Sequence, residues 1–415
     1  MIGYEDALAL IRREARPLPT VIRTPARGQV LAQEVVSGED LPPFDNSAMD
    51  GFALRVGEAG ARAGSEVEVR GAQAAGDAQA AAQGGAWEIM TGARLPDGLD
   101  AVIPVEQIEV LERDADGKPR RIRLNAELPP GQHVRRAGED VRCGERILAA
   151  GTRLDAPQLM LLAALGVATV QVHARPRVAL INTGRELVDD PAQALASGEI
   201  RNSNGPYLAQ RIEQAGAELV LRQTISDDID AFFIAMEQAR SAGAEVVLST
   251  GAVSMGRYDF VPDALRTLGA TIHFHKVAIR PGKPLLFATL PNGALYFGLP
   301  GNPASSAVGL RFFVEPALRA LLGLAPERPL RLPLRGGFHA RQSLRFFLKA
   351  AAEIDAEGRL WARVLRGQES FRIAPLAQAN AWVAIDAGSG LEEGAVVAVY
   401  PPGHLLGLDL QGGER

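Results

Sequence analysis

The stretch from Glu245 to Arg311 gathers Asp259, Lys276, Arg280 and Lys283 among glycine-containing turns. It reads EVVLSTGAVSMGRYDF, then HFHKVAIRPGKPLLF, then LYFGLPGNPASSAVGLRF. Three apolar, β-branched runs each end in such a turn, and two lead into a helical pattern. In an open α/β sheet, the loops at the carboxyl ends of the strands form the ligand crevice. Cations, helix N-termini and a carboxylate gathered there suit a phosphorylated ligand and a divalent metal.

Each motif has a plainer reading beside the functional one. In GLPGNPASSA, Gly298 to Gly301 breaks a strand, Asn302 suits the N-cap and Pro303 the first helical position. The amides of Ala304 and Ser305 are then expected to face the crevice, where they and the helix dipole stabilise an anion by roughly 0.3–2 kcal/mol. The alternative is a capped helix with no ligand. In KVAIRPGKP, Pro281-Gly282 forces a turn that brings Arg280 and Lys283 to one side. A bidentate fork beside a compact charge suits a tetrahedral oxyanion. The flanking Val277, Ile279, Leu285, Leu286 and Phe287 argue against a merely solvated basic turn. Asp227, Asp228 and Asp259 are the candidate carboxylates for a divalent cation, which takes one or two of them plus phosphate and water. Asp227 and Asp228 equally suit the first turn of a helix, where acids complement the dipole. At NTGREL, Gly184 permits close backbone approach and Glu186 can hold a polar group or an amine. Asn202, Ser203 and Asn204 read either as ligand contacts or as an N-cap cluster. The six histidines show no metal-ligand spacing, and a structural role is expected for His273 and His275.

Positioning these residues takes alternating strands and helices, and the pattern alternates from Arg175 onward. Val178–Ile181, Glu218–Gln223 and Val246–Leu248 read as strands; 204–215, 227–240 and 260–268 read as helices, the second capped by Ser226 and facing inward with Ile229, Phe232, Phe233 and Met236. A parallel, doubly wound sheet follows. Beyond Ala325, runs at 330–334, 345–354, 360–364, 381–385 and 396–400 predict a small β domain, with a hairpin turn at Glu357-Gly358. Upstream, residues 4–15 form an amphipathic pattern with Ala7, Leu8, Leu10 and Ile11 on one side. Short runs at 65–70, 101–111 and 121–124 suggest a β-rich unit, and 157–165 a helix stopped by Gly166. The expected fold class is α/β multidomain: a central doubly wound α/β domain (175–325), an inserted β-rich domain (44–136), a connecting domain (1–43 and 137–174) and a C-terminal β domain (326–415).

The bulk properties agree with such a protein. A chain of 415 residues exceeds one ordinary core. Its 47% hydrophobic and 22% charged residues are those of a soluble globular protein. A net charge of −5 argues against general nucleic-acid binding. The single Cys143 excludes an intrachain disulfide and a cysteine zinc cage. The amino terminus carries acids among its apolar residues and lacks a signal-peptide core. Residues 159–172 are too short to span a bilayer. A cytoplasmic protein with no membrane or nucleic-acid partner is expected.

Two further strings, PPFDNSAMDGFAL and MTGARLPDGLDAVIPVEQ, set Asp45, Asn46, Ser47, Asp50 and Gly51, then Thr91, Gly92 and Glu106, in polar turns between apolar anchors. Their chemistry alone does not say what they touch. With INTGREL, IRNSN, STGAVSMGRYD, KVAIRPGKP and GLPGNPASS, they run in a known order over essentially the whole chain. The sequence resembles the MoeA family of molybdopterin molybdenumtransferases, known in animals as the E domain of gephyrin. The resemblance implies the four domains above, an elongated homodimer and a reaction dependent on Mg²⁺. In that reaction adenylylated molybdopterin is hydrolysed, molybdate enters the dithiolene and AMP is released. It implies catalytic roles for Asp50, Thr91, Glu186, Asp228 and Asp259, with Asp50 and Thr91 completing the site in trans and Asp228 and Asp259 as metal ligands. Implied substrate contacts are Gly184, Ser203, Asn204, Gly251, Ser254, Gly256, Lys276, Pro300, Gly301, Asn302 and Pro303. Implied molybdate contacts are Arg280, Lys283, Lys349 and Ser370. A transient contact with the molybdopterin adenylyltransferase is a further expectation.

Some positions depart from the family pattern: Ala252 replaces a second glycine, Arg185 an acidic or polar residue, Arg280 a lysine and Lys349 an arginine. They leave the preference between molybdate and tungstate open. Two rival functions are a catalytically weakened pterin-binding scaffold or carrier of the same fold, and the adenylylating partner activity, whose domain resembles 175–325. Retention of Asp50, Asp228, Asp259 and Lys283 favours the enzyme over a scaffold. The flanking β domains favour insertion over adenylylation.

Overall fold

The computed structural model describes residues 1–251, 260–339, 343–388 and 390–412. Ser254, Gly256, Asp259 and the Ala252 departure lie outside the described residues. The chain divides into two compact units: Met1–Ile22, Gly28–Ala32 and Gln171–Arg415 form one, Arg23–Arg27 and Gln33–Val170 the other.

Helix α1 (Tyr4–Glu14) opens the first unit, with Glu5 and Asp6 in its first turn and Arg12 and Arg13 in its last, as the dipole favours. Tyr4, Ala7, Leu8 and Ile11 are buried, while Leu10 packs only at the margin of that core.

The second unit is built on six strands: β1 (Gly51–Leu54), β2 (Glu66–Gln73), β3 (Ala86–Ile89), β4 (Ala101–Pro104), β5 (Ile108–Arg113) and β6 (Pro119–Leu124). Their order in the sheet is β4-β1-β3-β2-β6-β5. The continuous run expected over 101–111 is two strands, separated by a 3₁₀ turn at Val105–Gln107. Pro104 lacks the N–H needed to continue the ladder. Gly51 is required by crowding, because a Cβ there would collide with the Ile103 carbonyl of the neighbouring strand. Helix α2 (Ala156–Ala164) starts at a capping box formed by Asp155 and Gln158.

In the first unit, the α/β core comprises β7 (Arg177–Thr183), α3 (Asn204–Gln214), β8 (Glu218–Ile225), α4 (Ile229–Ser241), β9 (Val246–Thr250), α5 (Val261–Thr267), β10 (Thr271–Phe274), β11 (Ile279–Arg280), β12 (Leu286–Thr289), β13 (Leu295–Leu299), α6 (Pro303–Gly309) and α7 (Glu315–Leu321). The sheet order is β8-β7-β9-β13-β12-β10. Its first four strands are parallel, as expected; β12 and β10 make the remaining pairings antiparallel. The short β12–β13 connection leaves no room for a helical crossover, so that pair forms a hairpin. Alternation along β7 sends Val178 and Leu180 to one face, against α3, and Ala179 and Ile181 to the other, against α4 and α5. This double coverage makes the strands nearly continuous apolar runs.

Beyond α7, β14 (Leu330–Arg335), β15 (Arg345–Ile354), β16 (Leu360–Val364), β17 (Ala381–Ile385) and β18 (Val396–Tyr400) pair as β15-β16-β14-β18-β17, and β17 pairs back to β15. The small sheet thus closes on itself around Leu334, Leu348, Ala350, Val383 and Val399. Gly358, at φ +78°, forms the expected hairpin turn between β15 and β16.

Two details of α4 differ from expectation. Its cap is Asp228, whose carboxylate accepts hydrogen bonds from the amides of Asp230 and Ala231, and Ser226 does not cap it. Its buried face is Phe232, Ala235, Met236 and Ala239, with Ile229 40% exposed.

Candidate active site

Three strand ends meet above the α/β sheet. Asn182 donates through Nδ2 to Thr250 Oγ1 (2.7 Å), and the Thr183 hydroxyl donates to the Thr250 carbonyl (3.0 Å). Gly251 follows at φ +90°, where a Cβ would strike Thr183 Oγ1 at 2.6 Å. A Cβ on Gly301 would lie 3.9 Å from Gly251 Cα. Asn204 donates to the Gly301 carbonyl (2.7 Å) and ties the start of α3 to this corner. Gly184, at φ +152°, lies under the Glu186 carboxylate, 2.9 Å from where its Cβ would be. Gly184, Glu186, Asn204, Gly251 and Gly301 therefore share one corner of the crevice. The N-cap cluster reading holds for Asn202, whose Oδ1 accepts from Gly205 N (2.8 Å). Ser203 is exposed and makes no cap bond.

Asp228 sits at the carboxyl end of the same sheet, beyond β8. Its Oδ1 takes both cap bonds, at 2.8 and 3.0 Å, and its Oδ2 takes no hydrogen bond from a described residue. One oxygen is thus engaged in capping the helix, and the other has no hydrogen-bond partner among the described residues. Among the described residues no group of three or more His, Cys, Asp or Glu side chains is placed to hold a metal. A cation here would rely on ligand oxygens, as Mg²⁺ commonly does.

An open cleft of about 970 Å³ lies beside this crevice, lined by Arg280, Lys283, Pro300, Asn302, Ser305, Phe338, His339, Phe346, Gln368, Glu369, Ser370 and Phe371 among others. Arg280 and Lys283 face it from one turn, as the motif predicts. Val277 N donates to the Lys283 carbonyl (3.0 Å), closing the turn, and Gly282 has φ +98°. The turn is also stitched to the C-terminal sheet: β11 pairs in parallel with β15, Arg280 opposite Phe346, and the Arg280 guanidinium stands 5.9 Å from that ring. Lys283 is exposed and its ammonium has no hydrogen bond or ion pair to a described residue. Lys276 is half-buried and is not among the residues lining the cleft.

The helix start behaves differently from expectation. Asn302 occupies the N-cap and Pro303 the first helical position, but Asn302 makes no side-chain cap. Its Nδ2 donates instead to Ser370 Oγ (3.1 Å). The amides of Ala304 and Ser305 are not free for a ligand: the first donates to the Ser370 carbonyl (2.9 Å), the second to the Asn302 carbonyl (3.0 Å). Ser370 has thus taken the place in which an anion was expected. Its Oγ accepts from Asn302, which leaves the hydroxyl proton to donate into the cleft.

Lys349 also departs from expectation. Phe346 and Leu348 line the cleft, and the two-residue period of β15 turns Lys349 to the opposite face. It is 1% exposed, and its ammonium donates to the carbonyls of Gly367 (2.7 Å), Glu369 (3.3 Å) and Arg372 (3.3 Å). Burial pulls its pKa below the ordinary lysine value. Among the lining residues the motifs did not nominate, Gln368 and Phe371 flank Ser370 in GQESF, whereas Phe338 and His339 carried no sequence signal. His273 is structural, stacked on Phe287 at 5.1 Å and bonded to Thr289.

In the other unit, Asp50 and Thr91 meet because β1 and β3 are antiparallel with Gly51 opposite Ile89. Asp50 Oδ1 accepts from Thr91 N (2.6 Å) and Thr91 Oγ1 (2.9 Å). The amide bond first, then the hydroxyl bond, holds the carboxyl below its ordinary pKa. Because the folded-state value is depressed, this stabilisation is present above the ordinary aspartate pKa and is lost as pH falls through the folded-state value. Thr91→Val should therefore move the Asp50 midpoint part of the way upward in a carboxyl-carbon NMR titration. An unmoved midpoint would show that the hydroxyl contributes nothing. Met49, Met90 and Val105, 37%, 56% and 49% exposed, surround the pair.

Family models match in three segments: the MoeA N-terminal region (domains I and II) over residues 2–166, a probable molybdopterin binding domain over 179–320, and the MoeA C-terminal region (domain IV) over 331–401. The molybdopterin molybdenumtransferase of Synechococcus elongatus is 38% identical over 399 residues, 94% of this chain and 96% of that protein. The molybdopterin molybdenumtransferase of Staphylococcus aureus is 32% identical over 412 residues, 96% of this chain and 95% of that protein. The crystal structure of the molybdopterin biosynthesis MoeA protein of Pyrococcus horikoshii superposes with a TM-score of 0.79 at 28% identity, covering 97% of this chain and 99% of that one. Matched in three segments by these models and along nearly its whole length by such relatives, the chain belongs to the MoeA family of molybdopterin molybdenumtransferases, enzymes of molybdenum cofactor biosynthesis.

Proposed function

We propose that the enzyme inserts molybdate into adenylylated molybdopterin, with Mg²⁺ and with release of AMP. The observation that carries this reading is the convergence of Arg280, Lys283 and Ser370 on one open cleft beside the strand-end crevice. Two cations and a hydroxyl suit a doubly charged tetrahedral oxyanion. In the adjoining corner, Gly301 has the bare backbone that would let a pterin phosphate approach closely. Asp228 would hold Mg²⁺ through Oδ2, together with Asp259. The cation would neutralise phosphate charge when bound. Glu186 would orient a polar group of the substrate over Gly184.

Asp50 and Thr91 belong in this reading to a site shared between two copies of the chain in a homodimer. The exposed Met49, Met90 and Val105 around them support a covered surface. The four-domain division at 43/44, 136/137, 174/175 and 325/326, a cytoplasmic location and a transient encounter with the adenylyltransferase complete the proposal. No described helix is long and apolar enough to cross a membrane.

The test is purified protein with adenylylated molybdopterin, Mg²⁺ and molybdate, following AMP release and metal insertion. Asp228→Asn should fold with near wild-type stability, because Asn caps about as well as Asp, yet release AMP more slowly and with weaker Mg²⁺ dependence. Mixed dimers of Asp228→Asn and Asp50→Ala chains should regain part of the activity. Unchanged AMP release by Asp228→Asn across a Mg²⁺ titration would remove Asp228 from the metal site. Tight pterin binding without AMP release by the wild type would point to the scaffold or carrier function.

A further inference from the structure

We infer that Lys349 is a positioning residue: its buried ammonium holds the 367–372 loop so that Ser370 presents its hydroxyl to the oxyanion cleft. This inference rests on the oxyanion reading of that cleft. The carbonyls that accept from Lys349 Nζ belong to Gly367, Glu369 and Arg372, on both sides of Ser370. All three donors of the ammonium are thereby used. Gln368 reinforces the tie from the backbone of the same residue: Lys349 N donates to its Oε1 (3.0 Å), and its Nε2 donates to the carbonyls of Lys349 (2.8 Å) and Leu365 (2.7 Å).

The loop held in this way makes two contacts with the α/β core. The Ser370 carbonyl accepts from Ala304 N, and Ser370 Oγ accepts from Asn302 Nδ2. Both lie at the start of α6, so a shift of the loop would move the hydroxyl and the Asn302 side chain together. The Glu369 carboxylate pairs with Arg372 (3.0 Å) at the surface, while the ammonium bonds to carbonyls. A cation set among carbonyls, with no carboxylate bonded to it, anchors the loop from the face of β15 opposite the cleft. An uncharged side chain of equal length would take the Lys349 donor from three carbonyl groups, of which only that of Glu369 keeps another, the Arg372 amide.

The experiment is a double-mutant cycle read by calorimetric titration with molybdate alone. Lys349→Met should weaken molybdate binding roughly tenfold in the wild-type background and less than about twofold in a Ser370→Ala background, because coupled residues are non-additive. A general loss of stability would weaken both backgrounds alike. Gln368→Leu, which releases the same loop from its other tie, reads the cycle should Lys349→Met fail to fold. Additive effects, or wild-type affinity in Lys349→Met, would overturn the assignment. Failure of both variants to fold would also overturn it, by making the tie a general requirement of the fold. Lys283→Ala is the control for the underlying reading: an unshifted isotherm there removes the oxyanion site itself. A shift with Lys283→Ala but no Lys349–Ser370 coupling removes only the positioning role.

Discussion

Glu315→Ala should destabilise the protein by about 3–5 kcal/mol, the usual consequence of removing one partner from a buried ion pair. Glu315 is fully buried at the start of α7. Its carboxylate accepts from Arg211 Nη2 (2.6 Å) and from His404 N (2.8 Å), and stands 3.4 Å from the Arg311 guanidinium. Arg311, 2% exposed in the π-helical turn Leu310–Val314, also grips Glu327 through two bonds and donates to the Pro401 carbonyl. Arg211 donates to the Pro402 carbonyl (2.7 Å). Without Glu315, two guanidinium groups would face each other across a buried space and the His404 amide would lose its acceptor. A loss of that size is a large share of a typical folding free energy of roughly 5–15 kcal/mol. Urea unfolding gives the magnitude, and amide exchange over 401–406 should speed up first because that segment is clamped by the same charges. The comparison is Glu237→Ala, which breaks a solvent-exposed, water-screened pair with Arg240 and should cost far less. Similar values for the two variants would contradict a special role for the buried cluster.

That cluster also marks the limit of what the sequence could tell. Arg311 and Glu315 are a local i,i+4 pair, but Arg211 and His404 come from distant parts of the chain, and nothing local in either announces its partners. Where a motif carries its own geometry, the reading was good. KVAIRPGKP contains the cations, the turn and the apolar flanks in one string, and Arg280 and Lys283 do face one cleft. The alternation of the α/β core was legible for the same reason, since its strands are apolar on both faces and its helices have a 3.6-residue period. The antiparallel sheet edge was not, because strand direction follows from connection length and tertiary pairing. For α4 the period was right and the face was rotated, and its cap lay two residues further on at Asp228. The amides of Ala304 and Ser305 looked free because Ser370, which satisfies one of them, is far away in sequence. Lys349 was readable in part: the alternation in RFFLKAAAEI places it opposite Phe346 and Leu348, and strand parity alone separates it from the cleft-lining face. Asp50 and Thr91 needed the strand register, which brings together two turns that say nothing of each other locally.

Lys283→Ala should raise the molybdate concentration needed for insertion about tenfold or more while leaving the fold and pterin docking intact. A doubly charged tetrahedral anion must be desolvated to bind, and several aimed donors are needed to offset that cost. Each charge-assisted hydrogen bond contributes roughly 1.5–3 kcal/mol, and about 1.4 kcal/mol is a factor of ten in affinity. Lys283 is well placed for a clean measurement, since its exposed ammonium has no hydrogen bond or ion pair with a described residue to be orphaned by its removal. Stability should therefore stay within about 0.5 kcal/mol of wild type, as for other surface substitutions. The turn itself persists, because it is closed by the backbone bond from Val277 N to the Lys283 carbonyl. Arg280→Lys is the complementary variant. It keeps the charge beside Phe346 but exchanges a planar bidentate fork for a compact donor, so insertion should continue with altered discrimination between molybdate and tungstate. The measurement is insertion rate against oxyanion concentration for both metals. A curve for Lys283→Ala that coincides with wild type would move the anion out of this cleft, and the convergence of Arg280, Lys283 and Ser370 would then need another ligand to explain it.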